Sequence, residues 1–194
     1  MLRPKLIGFL YRNIVKPVLF RFDAELVHDS HSFVGEFLGS SGLTRGIVKG
    51  VFAYEDSALT QNIDGVRYVN PVGLSAGFDY DGHTAEIMSS VGFGFNTVGT
   101  VTAKYYEGNK KPRLGRLSKS KSLFVNKGFK SGGCAAVAKR LDGMNLADKT
   151  VGVSVGSSNL PEIDSVQKAV ADYITPFGVF GGKKFAGSKS CKQK

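Results

Sequence analysis

The chain has 194 residues, 42% apolar and 22% charged, enough for one domain with a buried core and too balanced for a disordered polymer or a bundle of membrane spans. Its net charge of +10 is confined to the ends. Residues 1–22 carry five basic groups and no acid, residues 183–194 carry five more and no acid, and the body between them is neutral. A nucleic-acid domain carries its basic stripe on the folded surface, so no nucleic-acid partner is expected.

Cys134 and Cys191 have no metal-type or redox spacing, which suggests a reducing compartment and no disulfide framework. His28 and His31 share a helix face but lack a third ligand, so packing is expected there rather than zinc. The 25 glycines point to many tight turns or close backbone approaches.

In chain order, residues 5–20 (KLIGFLYRNIVKPVLF) are apolar on most sides with basic residues interspersed. Arg12 and Lys16 break this stretch, so it is neither a bilayer span nor a secretory leader. Residues 24–38 repeat apolar side chains at helical spacing, with Asp23 as N-cap and Gly39-Ser40-Ser41-Gly42 as the stop. Two such helices behind a basic lead fit a buried helical hairpin or a membrane-surface anchor equally well.

From residue 51 the pattern changes. Asp64-Gly65 between short apolar runs predicts a two-residue hairpin turn. Strands are expected near 71–75, 95–99 and 150–155, alternating with helices near 83–91, 132–141 and 163–175. That alternation implies βαβ units and a parallel sheet. Residues 101–129 show no helix, and a loop that long in a compact domain is usually functional. The last stretch, 176–194, is rich in glycine and lysine and reads as a disordered tail.

Two segments carry a resemblance. Asn70-Pro71-Val72-Gly73-Leu74-Ser75-Ala76-Gly77-Phe78-Asp79 resembles the first barrel strand and loop of the dihydroorotate dehydrogenases. Gly92-Phe93-Gly94-Phe95, then Val98-Gly99-Thr100-Val101-Thr102 and Gly108-Asn109-Lys110-Lys111-Pro112-Arg113-Leu114, is similar to the family's second strand and following loop. The resemblance implies an α/β fold: about the first three units of a (β/α)₈ TIM barrel over residues 43–175, preceded by a helical segment, 1–42, of the membrane-associated, quinone-using class. It implies a peripheral membrane location, at the cytoplasmic face of the cell membrane or the mitochondrial inner membrane.

The same resemblance implies FMN as cofactor, dihydroorotate and orotate as substrate and product, a quinone as acceptor, and no metal. It places Ala76, Gly77, Thr100 and Ser154 at the flavin, with Tyr80, Asn126, Gly128 and Phe129 at the substrate. Taken without it, Gly77 and Gly99 are ordinary turn glycines.

Three positions depart from the family. Tyr80 stands where the family has a lysine, the Asn126-Lys127-Gly128-Phe129 loop is one residue short, and Ser154 replaces an asparagine. The loop that would supply a serine base is absent, so the chain is expected to be catalytically inactive. Two other readings stand beside this one: a non-catalytic membrane-binding remnant, and another FMN barrel enzyme such as one acting on tRNA dihydrouridine.

Overall fold

The computed structural model describes residues 2–181, so the basic run 183–194 and Cys191 lie outside the described residues. The chain opens with α1 (Leu2–Leu10), which passes through a π-helical turn (Tyr11–Val15) into α2 (Lys16–Leu19). The π turn comes just before Pro17, which has no N–H to contribute to the helical ladder. The side chain of Asp23 then caps α3 (Ala24–Gly39), accepting from the amides of Glu25 and Leu26 at 2.9 and 3.0 Å, as the sequence predicted.

The helical layer does not stop at residue 42. Ser41 caps a further helix, α4 (Gly42–Phe52), so the Ser-Ser-Gly segment is a corner between two helices and the layer reaches Phe52. Many of its apolar side chains stay exposed, among them Phe33, Phe37, Leu43 and Ile47. No described helix is long and apolar enough to cross a membrane.

Strands β1 (Gln61–Ile63) and β2 (Val66–Tyr68) form the expected hairpin. Both turn residues are left-handed, Asp64 at φ 49° and Gly65 at φ 76°, a backbone that Asp-Gly tolerates. Three parallel strands follow in the order β3 (Gly73–Leu74), β4 (Phe95–Val101), β7 (Val151–Val155), with β4 in the centre. Leu74 faces Asn96, and Thr97 faces Gly152.

The helix expected over 83–91 shrinks to one turn, α5 (Met88–Val91). The residues before it are held by tertiary bonds instead. The amide of Thr84 donates to buried Asp79 at 2.9 Å, and His83 meets Glu36 of α3 at 2.8 Å. Helix α3 crosses this segment closely, since a Cβ on Gly35 would lie 2.9 Å from a Thr84 methyl.

The long 101–129 segment contains a second antiparallel hairpin, β5 (Leu114–Leu117) with β6 (Ser122–Val125). Helix α6 (Cys134–Asp142) brings the chain back to β7, and α7 (Val166–Phe180) closes the described fold. Helix α7 runs five residues past the boundary expected at Thr175. Pro176 costs one backbone bond but is itself buried, and Val179 and Phe180 pack on the core, which offsets that loss.

The core lies between β4 and α6. Ala85, Val98, Val101, Cys134, Val137, Leu141 and Leu146 form one buried cluster. Burying each large aliphatic side chain contributes about 1.5–3 kcal/mol, so this cluster fixes the strand ends that carry the site.

Candidate functional site

Backbone bonds first stitch the C-terminal ends of β3 and β4 together. The Gly77 amide donates to the Gly99 carbonyl at 2.7 Å, and the Gly99 amide donates to the Asp79 carbonyl at 2.9 Å. Ala76 is half-buried and Gly77 exposed in this loop. Gly77 has φ +107° and free space where a Cβ would stand, so a flat group can lie against its backbone.

Thr100 and Ser154, at the ends of neighbouring strands, share a hydroxyl–hydroxyl bond of 3.1 Å. Gly156, just beyond β7, lets these groups approach. A Cβ there would lie 2.7 Å from the Thr100 methyl and 3.3 Å from the Phe129 ring. The structure therefore brings Thr100, Ser154 and Phe129 to one place, with Gly77 one backbone bond away.

A ring of carboxamides stands on the loops above. Asn109 donates to Asn126 at 3.0 Å, the Tyr106 hydroxyl donates to Asn109 at 2.6 Å, and Asn159 donates to both Tyr106 and Asn109 at 3.2 and 3.4 Å. Gly128 packs beneath, where a Cβ would meet the Asn109 carboxamide at 3.0 Å. Asp172 of α7 steadies the Asn159 loop, accepting from the Ser158 amide and hydroxyl at 2.6 and 3.0 Å. Asn126 and Asn159 are exposed, so their remaining donors and acceptors are available to a ligand with amide and carbonyl edges.

The third cluster ties the helical layer to the strand ends. Glu25 of α3, its side chain only 5% exposed, receives a fork from Arg113 at 2.7, 2.9 and 3.1 Å. Arg113 also donates to the carbonyls of Glu107 and Asn109, which shapes the loop carrying Asn109. Lys111, Lys127 and Lys130 gather around Glu25 at 3.8–4.0 Å. The Arg113 hydrogen bond outweighs burial and holds the Glu25 carboxyl below the usual range.

Tyr80 faces this cluster rather than the carboxamides. Its hydroxyl donates to Asp29 of α3 at 3.1 Å, and its ring stacks on His28 at 5.7 Å. Burial, and then the Asp29 charge, push its hydroxyl pKa up, so it stays a neutral donor. Sequence reasoning missed Glu25, Tyr106, Gly156 and Asn159. It held Asn109 and Arg113 in the Gly-Asn-Lys-Lys-Pro-Arg motif without assigning them roles.

The family model for dihydroorotate dehydrogenase matches residues 58–184. The chain is 35% identical over 164 residues to a dihydroorotate dehydrogenase (quinone) of Roseiflexus, with 84% of this chain and 45% of that one covered. It is 36% identical over 173 residues to a protein of the same name from Chloroflexus aurantiacus, covering 88% and 47%. The crystal structure of ligand-free DHODH from Eimeria tenella superposes with a TM-score of 0.62 at 29% identity, covering 80% of this chain and 42% of that one. The ferulenol complex of the same protein gives 0.59 at 30%, covering 78% and 40%. The chain spans about half the length of the curated relatives it matches.

Proposed function

The chain belongs to the dihydroorotate dehydrogenase family, and we propose that its described part forms the floor and rim of a site for FMN and dihydroorotate. The observation that carries this reading is the Thr100–Ser154 hydroxyl pair, flanked by Phe129 and the open backbone at Gly77. These residues fit the ring end of a flavin: small groups clear a flat surface, and two hydroxyls can reach ring heteroatoms. When bound, FMN would take a hydride from dihydroorotate and pass electrons to a quinone.

The chain's own residues bind and orient. Thr100 and Ser154 fix the ring from below. Asn126 and Asn159 offer carboxamide donors and acceptors to a planar, amide-bearing substrate from above, with Asn109 holding both in place. Phe129 stands beside the floor, its ring 3.3 Å from where a Cβ on Gly156 would lie. The two floor hydroxyls bond each other, so this pair positions rather than accepts a proton.

The exposed apolar faces of α1 to α4 lie against a membrane surface in this reading, where a quinone would be met. Support comes from Phe33, Phe37, Leu43 and Ile47, left bare beside a leading segment of five basic residues. Quenching of flavin fluorescence on titrating FMN into the full chain tests the ring site. Thr100→Val and Ser154→Ala should each weaken it, and no quenching by the wild type would overturn the reading.

A further inference from the structure

Strands β5 and β6 form a two-stranded ribbon whose side chains find little to cover them. All four residues of β6 are exposed, Leu123 at 65% and Val125 at 66%. Directly paired residues of an antiparallel ribbon share a face, so the Arg116–Leu123 and Leu114–Val125 pairs set one face and Gly115–Phe124 the other. On the first face the Arg116 guanidinium lies 4.7 Å from the centre of the Phe20 ring and donates to the Phe22 carbonyl at 2.8 Å. Phe20 and Phe22, just past α2, are themselves exposed, and the Lys16 ammonium sits 5.1 Å from the same Phe20 ring. Leu123, Val125, Phe20 and Phe22 thus stand around Arg116 as one apolar surface with cations set into it.

The turn between the strands carries further charge. Lys119 and Lys121 alternate there with Ser118, Ser120 and Ser122, and both lysines are exposed. Lys121 takes a left-handed backbone, φ 54°, that turns ordinarily give to glycine or asparagine. The serines fasten the turn to itself, Ser120 bonding the Leu117 carbonyl at 3.2 Å and the Ser122 hydroxyl at 2.7 Å, which leaves the lysines to point outward. Residues 108–141 hold ten basic side chains and no acid.

We propose that the β5–β6 hairpin is a lipid-binding element: its Arg116–Leu123 face lies on an anionic bilayer, with Leu123 and Val125 entering the acyl boundary and Lys119 and Lys121 reaching headgroup phosphates. This rests on the membrane reading given above and adds to it a contact outside the helices. An apolar surface rimmed by cations and free of acids matches an anionic lipid surface on both counts. Aliphatic Leu123 and Val125 offer no ring on which a nucleic-acid base could stack, so the surface fits lipid better than nucleic acid. Contact with the Phe20–Phe22 segment makes the hairpin continuous with the helical layer and its basic lead.

The chain has no tryptophan, so Leu123→Trp supplies a single fluorescent reporter. Its emission should move to shorter wavelength on vesicles of phosphatidylcholine with phosphatidylglycerol, and acyl-brominated lipid should quench it. Ile63→Trp should show neither, because the β1–β2 hairpin lies at the other end of the strands, where Thr150 before β7 donates to the Arg67 carbonyl at 2.9 Å. Lys119→Gln with Lys121→Gln should weaken binding to these vesicles about thirtyfold, roughly fivefold per lysine, and leave binding to phosphatidylcholine alone unchanged. A reporter shift that survives Phe33→Glu with Phe37→Glu would keep the hairpin and sink the helical contact. Co-sedimentation without a shift, or without loss in the double Gln variant, would keep the helical contact and overturn the hairpin. No association with either vesicle would overturn both. Two further results would also overturn the hairpin's role in lipid binding: lysine-dependent capture of a single-stranded oligonucleotide with no lipid shift, or self-association of the double Gln variant at unchanged lipid affinity, which would make the lysines guards of an exposed strand edge. Circular dichroism of each variant confirms that folded protein is compared.

Discussion

Replacing Glu25 by Gln removes a negative charge from beneath four cations. Arg113, 3% exposed, loses its counter-charge, and Lys127 and Lys130 lose their ion-pair contact. Breaking a buried pair by removing one partner costs about 3–5 kcal/mol, against ~0–1 kcal/mol for an exposed pair. A chain of this size shifts its melting midpoint by about 2–4 °C per kcal/mol, so a fall of roughly 6–20 °C is expected by scanning calorimetry. Glu25→Leu combined with Arg113→Met should lose less than the two single variants together, because no stranded guanidinium remains. The pH dependence has a definite sign. A carboxylate held low in the folded state contributes stability that is full above its unfolded pKa, near 4.5, and is lost as pH falls below it. Glu25→Gln should remove that acid-side slope. A loss under about 1 kcal/mol, or strict additivity in the double variant, would refute the view that this pair joins the helical layer to the strand ends.

Lys127→Met should lower stability by less than ~1 kcal/mol, because its ion pair with Glu25 is long, at 4.0 Å, and an apolar side chain of similar length takes its place; a larger drop would mean that this contact contributes more than its distance suggests. Gly156→Ala drives a methyl to 2.7 Å from the Thr100 side chain, so FMN quenching should weaken and stability should fall by about 1–3 kcal/mol; an unaltered variant would mean the floor is not close-packed. The full chain should co-sediment with anionic vesicles and be released by Phe33→Glu with Phe37→Glu, whereas retained binding would move the contact elsewhere. Strand β7 is paired on one side only among the described residues, so sedimentation velocity should show association that grows with concentration. A monodisperse monomer with protected amides at 151–155 would contradict this.

What the sequence revealed was local. Asp64-Gly65 imposes its own turn, Asp23 its own cap, and the parallel strands announce themselves as short apolar runs. Asn126, Gly128 and Phe129 could be read as one loop because they are contiguous. The missed elements depend on distant partners. Glu25 and Arg113 are 88 residues apart and carry no periodic signal. Helix α4 hid behind Gly42, which reads as a stop until Ser41 is seen capping forward. The 83–91 segment has helical spacing, yet Asp79 and Glu36 capture its polar groups and leave one turn. Pro176 marked an end that core packing overrides. Tyr80 could be located from its motif, but its tether to α3 could not.

The alternation along residues 126–131 behaves like a combination lock. Asn126 meets the carboxamide rim, Lys127 meets Tyr80, Gly128 slips under Asn109, Phe129 reaches the hydroxyl floor, and Lys130 returns to Tyr80. Inserting or deleting one residue would move each later side chain into its neighbour's place: a deletion would deliver an ammonium to the floor, and an insertion an aromatic ring to the charge cluster. No single substitution could repair that. A lysine placed at position 80 alone would add a further ammonium to the three that already lie within 4.0 Å of Glu25, a carboxylate occupied by Arg113.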